Sequence, residues 1–128
     1  MTPKLDMIGL VVEDMAASLA FYRRLGLDIP ETDDDHVEVT LPNGLRFGWD
    51  TVATIRSFMP DWEKPTGGNS VGMAFLCDSP ADVDKTHADL IAAGYRSHKD
   101  PWDAFWGQRY ACVTDPDDNV VDLFAPIN

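Results

Sequence analysis

The stretch Leu5-Asp-Met-Ile-Gly-Leu-Val-Val-Glu-Asp-Met-Ala-Ala-Ser-Leu-Ala-Phe-Tyr-Arg-Arg-Leu-Gly26 decides the fold. Its first eight residues are mostly apolar and read as a buried strand. Glu13-Asp14 ends the apolar run, and Asp14 offers the side-chain oxygen that caps a helix start. Met15, Leu19, Tyr22 and Leu25 recur at helical spacing, which predicts a helix over 15–25 with that face buried. Gly26 stops it, because glycine adopts the left-handed conformation a helix end needs. Further on, residues 37–41 alternate as a strand. Pro42-Asn43-Gly44 marks a turn, and 45–49 form the returning strand. The acidic run Glu31-Thr-Asp-Asp-Asp between helix and strand reads as a solvated loop.

The same order recurs downstream. Residues 71–77 read as a strand, and Asp78-Ser79-Pro80 starts a helix with proline near its first turn. Val83, His87, Leu90 and Ile91 share one helical face, and Gly94 ends it. Strands come next at 95–98, 109–114 and 120–124, with Asp115-Pro-Asp-Asp-Asn119 as the tight turn between the last two. Leu25-Gly26-Leu27 is matched by Ala93-Gly94-Tyr95, and Pro42-Asn43-Gly44 by Pro116-Asp117-Asp118. Two copies about 70 residues apart make an internal duplication rather than a solenoid. The expected fold is α+β, with two tandem βαβββ modules (about 5–50 and 70–125) joined by 51–69 within one domain. Two segments lack a counterpart. Residues 51–69 contain Phe58, Trp62 and Gly67-Gly68, with Ile55-Arg-Ser-Phe58 able to form a short helical turn. Pro101-Trp-Asp-Ala-Phe-Trp-Gly107 packs three aromatic rings into seven positions.

Composition bounds the function. The chain has 128 residues, enough for one domain with a core. Hydrophobic residues make up 45%, which argues against disorder. A net charge of −12 repels nucleic acid and anionic membrane surfaces, and favours a cationic small molecule or a basic partner. No apolar run approaches the roughly 20 residues that span a bilayer. The first residues lack the order of a signal peptide, so the expected location is the cytoplasm. Cys77 and Cys112 each sit in an apolar, strand-like stretch and read as buried free thiols.

The stretch from Val11 to Gly26 resembles the opening module of the vicinal oxygen chelate superfamily, which holds glyoxalases, extradiol dioxygenases, fosfomycin-modifying enzymes and bleomycin resistance proteins. Asp115-Pro-Asp-Asp-Asn-Val-Val-Asp-Leu-Phe124 resembles its closing hairpin. Within that group, Trp49-Asp-Thr-Val-Ala-Thr-Ile-Arg-Ser-Phe58, Pro65-Thr-Gly-Gly68 and Trp106-Gly-Gln-Arg-Tyr-Ala111 resemble the drug-binding members typified by mitomycin C resistance proteins. The resemblance implies modules that curl into an open half-barrel cup, and a homodimer that often exchanges strands. It also implies a metal held by His, Glu or Gln on the strands of enzymatic members. Here the matching positions carry Met7, Phe47 or Gly48, Gly72 and Asp122, and one carboxylate is too few for a catalytic metal. No metal and no cofactor are therefore expected. His36, His98 and Asp122 could cluster in space, though no spacing motif supports it, and His87 reads as a hydrogen-bonded structural histidine.

Alternation with Val121 and Leu123 turns Asp122 into the cup, where it needs a partner, either a ligand amine or Arg109 on the neighbouring strand. The tryptophans Trp49, Trp62, Trp102 and Trp106 offer flat faces suited to a planar, electron-poor ligand such as a quinone, or else fill a core or a dimer interface. Phe58 lies where the drug-binding relatives place a tyrosine. The expected function is metal-independent binding and sequestration of a planar, antibiotic-like molecule. Trp106 and Phe58 would stack, Trp102, Phe47 and Trp49 would line the cleft, and His36, Glu38 and Asp122 would supply polar contacts. The alternatives are a metal-dependent lyase, isomerase or dioxygenase of the same superfamily, and an accessory binding protein of an antibiotic pathway.

Overall fold

The computed structural model describes residues 2–66 and 71–128. The Gly67-Gly68 pair, and with it the end of Pro65-Thr-Gly-Gly68, lies outside the described residues. The chain divides into two compact units, Met1–Lys64 and Pro65–Asn128.

The first unit runs β1 (Met7–Val12), α1 (Met15–Arg24), β2 (His36–Thr40), β3 (Arg46–Thr51) and α2 (Val52–Arg56). Its sheet has the order β1-β3-β2, with β1 parallel and β2 antiparallel to β3. Asp14 caps α1 as expected, its carboxylate accepting from the Ala17 N–H at 3.0 Å. The buried stripe of α1 is Ser18, Leu19, Phe21 and Tyr22. Met15 and Leu25, expected on that stripe, are only half-buried, because Phe21 turns the apolar face towards itself. Residues 27–35 contribute no strand to this sheet. Pro30 lacks a ladder donor, and the acidic run after it stays in solvent.

The second unit runs β4 (Met73–Leu76), α3 (Pro80–Ala92), β5 (Arg96–Ala104), β6 (Gln108–Thr114) and β7 (Val120–Pro126). Its sheet has the order β4-β7-β6-β5, so this half holds the complete βαβββ set. Val83 and Leu90 of α3 are buried with Ala111, Val113, Val121 and Leu123 of the sheet. β4 is shorter than the predicted 71–77. β5 is longer than the predicted 95–98 and absorbs Pro101 and Trp102. Proline is tolerated there because β5 is an edge strand with register irregularities.

The duplication shows in atomic detail. The Leu27 N–H bonds the Tyr22 carbonyl and the Gly26 N–H that of Arg23. In the second unit the Tyr95 N–H bonds the Leu90 carbonyl and the Gly94 N–H that of Ile91. Both glycines have positive φ, 109° and 99°, which completes the same Schellman closure twice. The hairpin turns match as well. Gly44 donates to the Leu41 carbonyl at 2.8 Å and Asp118 to the Asp115 carbonyl at 3.0 Å.

Candidate functional site

Each sheet has one face on its helix and one face away from it, and the register assigns every side chain. In the first unit Phe47 and Trp49 share a face with Val37 and Val39. This is the α1 face. The Tyr22 ring centroid lies 5.4 Å from Phe47 and 5.7 Å from Trp49, and the latter two are 4.8 Å apart. Trp49 is wholly enclosed, with no partner for its indole N–H among the described residues. The expectation that Phe47 and Trp49 line a cleft is thus corrected: period-two alternation puts them in the core, opposite His36 and Glu38.

The away-facing side of that sheet is charged. The His36 Nδ1 lies 2.6 Å from Asp50 Oδ1 and its Nε2 3.0 Å from Glu38 Oε2. Arg46 donates to the other Glu38 oxygen at 2.7 Å and to Asp6 at 2.8 Å. The Asp50 and Glu38 hydrogen bonds raise the His36 pKa above its ordinary value, and His36 and Arg46 together lower that of Glu38. The imidazole bridges two carboxylates, an arrangement that favours its protonated form. Phe58 stands apart from this network, just beyond α2 and well exposed. Trp62 is half-buried, its carbonyl accepting from Arg56.

The second unit places its rings differently. Its helix side carries one ion-pair cluster: the Arg109 fork donates to both oxygens of Asp84 on α3, at 2.9 and 3.2 Å, and to Asp103 at 3.1 Å. The expected Arg109–Asp122 pair does not form, because Arg109 alternates with Tyr110 and falls on the helix side. His87, also on α3, lies 2.8 Å from Ser97, whose hydroxyl donates to Asp100. That hydroxyl therefore accepts from His87, which is the structural role expected.

The open side carries the rings. Register pairs Trp102 with Tyr110 and Tyr110 with Phe124 in one row across β5, β6 and β7. Trp106 sits at the apex of the β5–β6 hairpin, where Gly107 (φ 88°) donates to the Ala104 carbonyl. The Trp102, Trp106 and Tyr110 centroids are 5.4–6.0 Å apart and edge-to-face. Tyr110 and Phe124 stack at 6.2 Å. The Trp106 indole N–H donates to Gln108 at 2.8 Å, which fixes its orientation while half of the side chain faces solvent. Beside this row, Asp122 accepts from the Tyr110 hydroxyl at 2.7 Å. Burial first and Asp122 second push the Tyr110 pKa up and bring that of Cys112 to about 12, so the thiol stays protonated and unreactive. Both cysteines are free.

The structure thus brings Trp102, Trp106 and Asp122 to one face of the second unit. His36 and Glu38 share a face of the first, and Phe58 is separate from them. Sequence reasoning missed Tyr110, Phe124 and Gln108. The alternation that placed Asp122 would have found all three, since they lie on its own strand and the next at even spacing.

A metal does not fit these residues. Register puts Gly48, rather than Phe47, on the face with Met7, whose sulfur lies against it. Gly72 supplies no ligand, and Asp122 already accepts from Tyr110. Glu38 already pairs with His36 and Arg46, and Asp50 with His36. Among the described residues no group of three His, Cys, Asp or Glu side chains is placed to hold a metal.

The sequence model of the Glyoxalase/Bleomycin resistance protein/Dioxygenase superfamily matches residues 4–123, and the chain belongs to that superfamily. It is 29% identical over 124 residues to the Bacillus subtilis (strain 168) protein YraH, described as uncharacterized, spanning 94% of this chain and 97% of that one. A glyoxalase/bleomycin resistance protein/dioxygenase family enzyme from Burkholderia phytofirmans PsJN superposes with a TM-score of 0.84 at 20% identity, over 98% of this chain and all of that one. A glyoxalase/bleomycin resistance protein/dioxygenase from Nocardioides superposes with a TM-score of 0.77 at 24% identity, over all of this chain and 86% of that one. At these identities the structural likenesses establish the fold. Among the described residues no helix is long and apolar enough to cross a membrane.

Proposed function

We propose that the chain binds a planar aromatic small molecule on the open face of β5, β6 and β7 and sequesters it without a metal or cofactor. One observation carries this reading: three rings, Trp102 and Tyr110 on strands and Trp106 at the hairpin between them, are held edge-to-face, and the outermost is both oriented by Gln108 and half-exposed. Rings fixed in advance lose little entropy on stacking a ligand, and such stacking contributes about 0.5–1.5 kcal/mol per pair beyond buried area. Phe105, almost wholly exposed at the same hairpin, extends the apolar rim. The resemblance to drug-binding members supports an antibiotic-like ligand such as a quinone, with resistance by sequestration as its consequence. A homodimer belongs to the same proposal. Leu76 on the edge strand β4 is 68% exposed, which suits burial against a second copy.

The test is a tryptophan-fluorescence titration of planar quinone antibiotics against the wild type and Trp106→Ala. Quenching that saturates in the wild type, weakens in the variant and returns the ligand with unchanged mass supports sequestration. Equal affinity in both removes Trp106 from the site. A chemically altered ligand, with turnover lost to a chelator, replaces the proposal with the metal-enzyme alternative.

A further inference from the structure

The strand β5 is irregular in two places, and both bear on what the aromatic face can recognise. Ser97 pairs with Val113 and Lys99 with Cys112, so two steps on β5 match one on β6. Lys99 pairs with Cys112 and Trp102 with Tyr110, so three steps then match two. Each irregularity inserts one residue, and each reverses the face of the residues after it. Ser97 points to the helix side, where it meets His87. The first insertion turns Lys99 to the open side, and the second keeps Trp102 there with it. In a regular strand Lys99 and Trp102, three residues apart, would face opposite ways. Instead the Lys99 ammonium lies 4.6 Å from the Trp102 ring centroid.

The result is two parallel rows on one face. The aromatic row is Trp102, Tyr110 and Phe124. The row beside it is Lys99, Cys112 and Asp122, in direct register across the same three strands. Its two ends carry opposite charge, two strand spacings or about 10 Å apart along the sheet. Between them lies the Cys112 thiol, uncharged and paired in register with Asp122. The Tyr110 hydroxyl, bonded to Asp122, ties the two rows together. A face built only to stack rings needs neither charge, and two insertions that interrupt the ladder to deliver Lys99 are costly without a purpose.

We propose that this face selects planar aromatic ligands with opposite polarity at their two ends: a cationic or hydrogen-bond-donating end set against Asp122, and an anionic or accepting end set against Lys99. This deepens the binding reading above and rests on it. The ring system lies along Trp102, Tyr110 and Phe124 and spans the two charges. Lys99 occupies the face of Trp102 when the site is free and swings to the ligand's acidic end when it is filled.

Isothermal titration calorimetry at neutral pH with four matched probes tests this: naphthalene, 2-naphthoate, 2-naphthylmethylammonium and the bipolar 6-(aminomethyl)-2-naphthoate. The expected order places the bipolar compound tightest and naphthalene weakest, with about tenfold gained for each charged contact made. Lys99→Met abolishes the advantage of the carboxylate, Lys99→Arg restores it, and Asp122→Asn abolishes the advantage of the ammonium. The amide oxygen introduced by Asp122→Asn still accepts from Tyr110, and near-ultraviolet circular dichroism of the ring cluster verifies that each variant keeps its fold. Equal affinity of the wild type for all four probes overturns the charge selection and leaves the aromatic face standing as a binding site. A bipolar advantage that survives both Lys99→Met and Asp122→Asn overturns it likewise. No binding of any probe overturns it together with the reading beneath it.

Discussion

The two halves of the chain share a helix closure, a hairpin turn and a helix cap (Asp14 accepting from the Ala17 N–H, Ser79 from the Asp82 N–H), yet they put their rings on opposite faces of their sheets. The first half puts its rings on the helix side, where Tyr22, Phe47 and Trp49 make the core, and leaves its charges on the open side as the chain Asp50–His36–Glu38–Arg46–Asp6. The second half sets Arg109 with Asp84 and Asp103 on the helix side and its rings on the open side, where Lys99 and Asp122 flank them. A duplicated scaffold therefore does not imply a duplicated site. Backbone closure is what the two copies share, and the choice of face for each side chain is what separates them.

The sharpest way to break this comparison is to make the same substitution in both halves. Trp49→Ala removes a fully enclosed ring and is expected to cost about 3–5 kcal/mol of stability in denaturant unfolding. Trp102→Ala removes a half-buried ring from an open face, and is expected to cost about 1 kcal/mol. Equal losses would mean that both rings are core residues. Trp49→Phe is expected to fall well short of Trp49→Ala, because it keeps much of the ring volume and removes an indole N–H that has no partner among the described residues.

The shared part of the comparison is tested at the helix closures. Gly26→Ala and Gly94→Ala each force a Cβ into a left-handed conformation, at a cost of about 1–2 kcal/mol. Open space around both positions means that the cost is conformational in each case. Matching losses in unfolding experiments support one closure used twice. A loss at only one of them would make the resemblance of the two helix ends superficial.

The scaffold is legible in the sequence because its signals are local. Asp14, Gly26, Asn43-Gly44, Ser79-Pro80 and Gly94 each act through their own backbone, and the structure places them where the pattern puts them. The face of a strand residue is legible only where the strand is regular. Alternation places Asp122 correctly, and the same rule applied to β3 separates Trp49 from His36 and Glu38 by face. Grouping them as one lining follows aromatic character and overrides that rule. Lys99 is beyond reach, since one inserted residue before it and one after it invert the count from either end, and nothing in Ser97-His-Lys-Asp-Pro-Trp102 announces them except the proline. Phe105-Trp-Gly107 does carry a signal: a glycine closing a three-residue hairpin. The lack of a counterpart in the first half hides it, because the segment then looks like an insertion.

Trp106→Ala refines the contrast between enclosed and displayed rings at lower energy. Its indole contacts Trp102, Tyr110 and Phe105 but stands at a hairpin apex, so the stability change is expected within about 0.5 kcal/mol. A larger loss would show the cluster to be a structural plug, and would weaken its claim as a ligand platform.

The smallest expected effect sits on the charged face of the first half. His36 is held by Asp50 first and Glu38 second, which raises its folded pKa above the ordinary 6.5. A raised pKa means that the stabilisation is fully present below the unfolded value and is lost as pH rises through the folded one. Glu38 behaves in the opposite sense. Its pKa is lowered from 4.5 by His36 and Arg46, so its contribution holds above the unfolded value and fades as pH falls through the folded one. The network is therefore strongest between those limits. His36→Gln should narrow the stability gap to wild type as pH climbs from about 5.5 to about 9, and proton resonances of the wild-type imidazole should titrate above the ordinary histidine range. The side chain is 46% exposed, so solvent screening keeps the gap small. A gap that widens with pH would mean that the imidazole is neutral in the folded protein. The open face of the first half would then be a partly uncompensated carboxylate surface, and the division of charge between the halves would need a different physical basis.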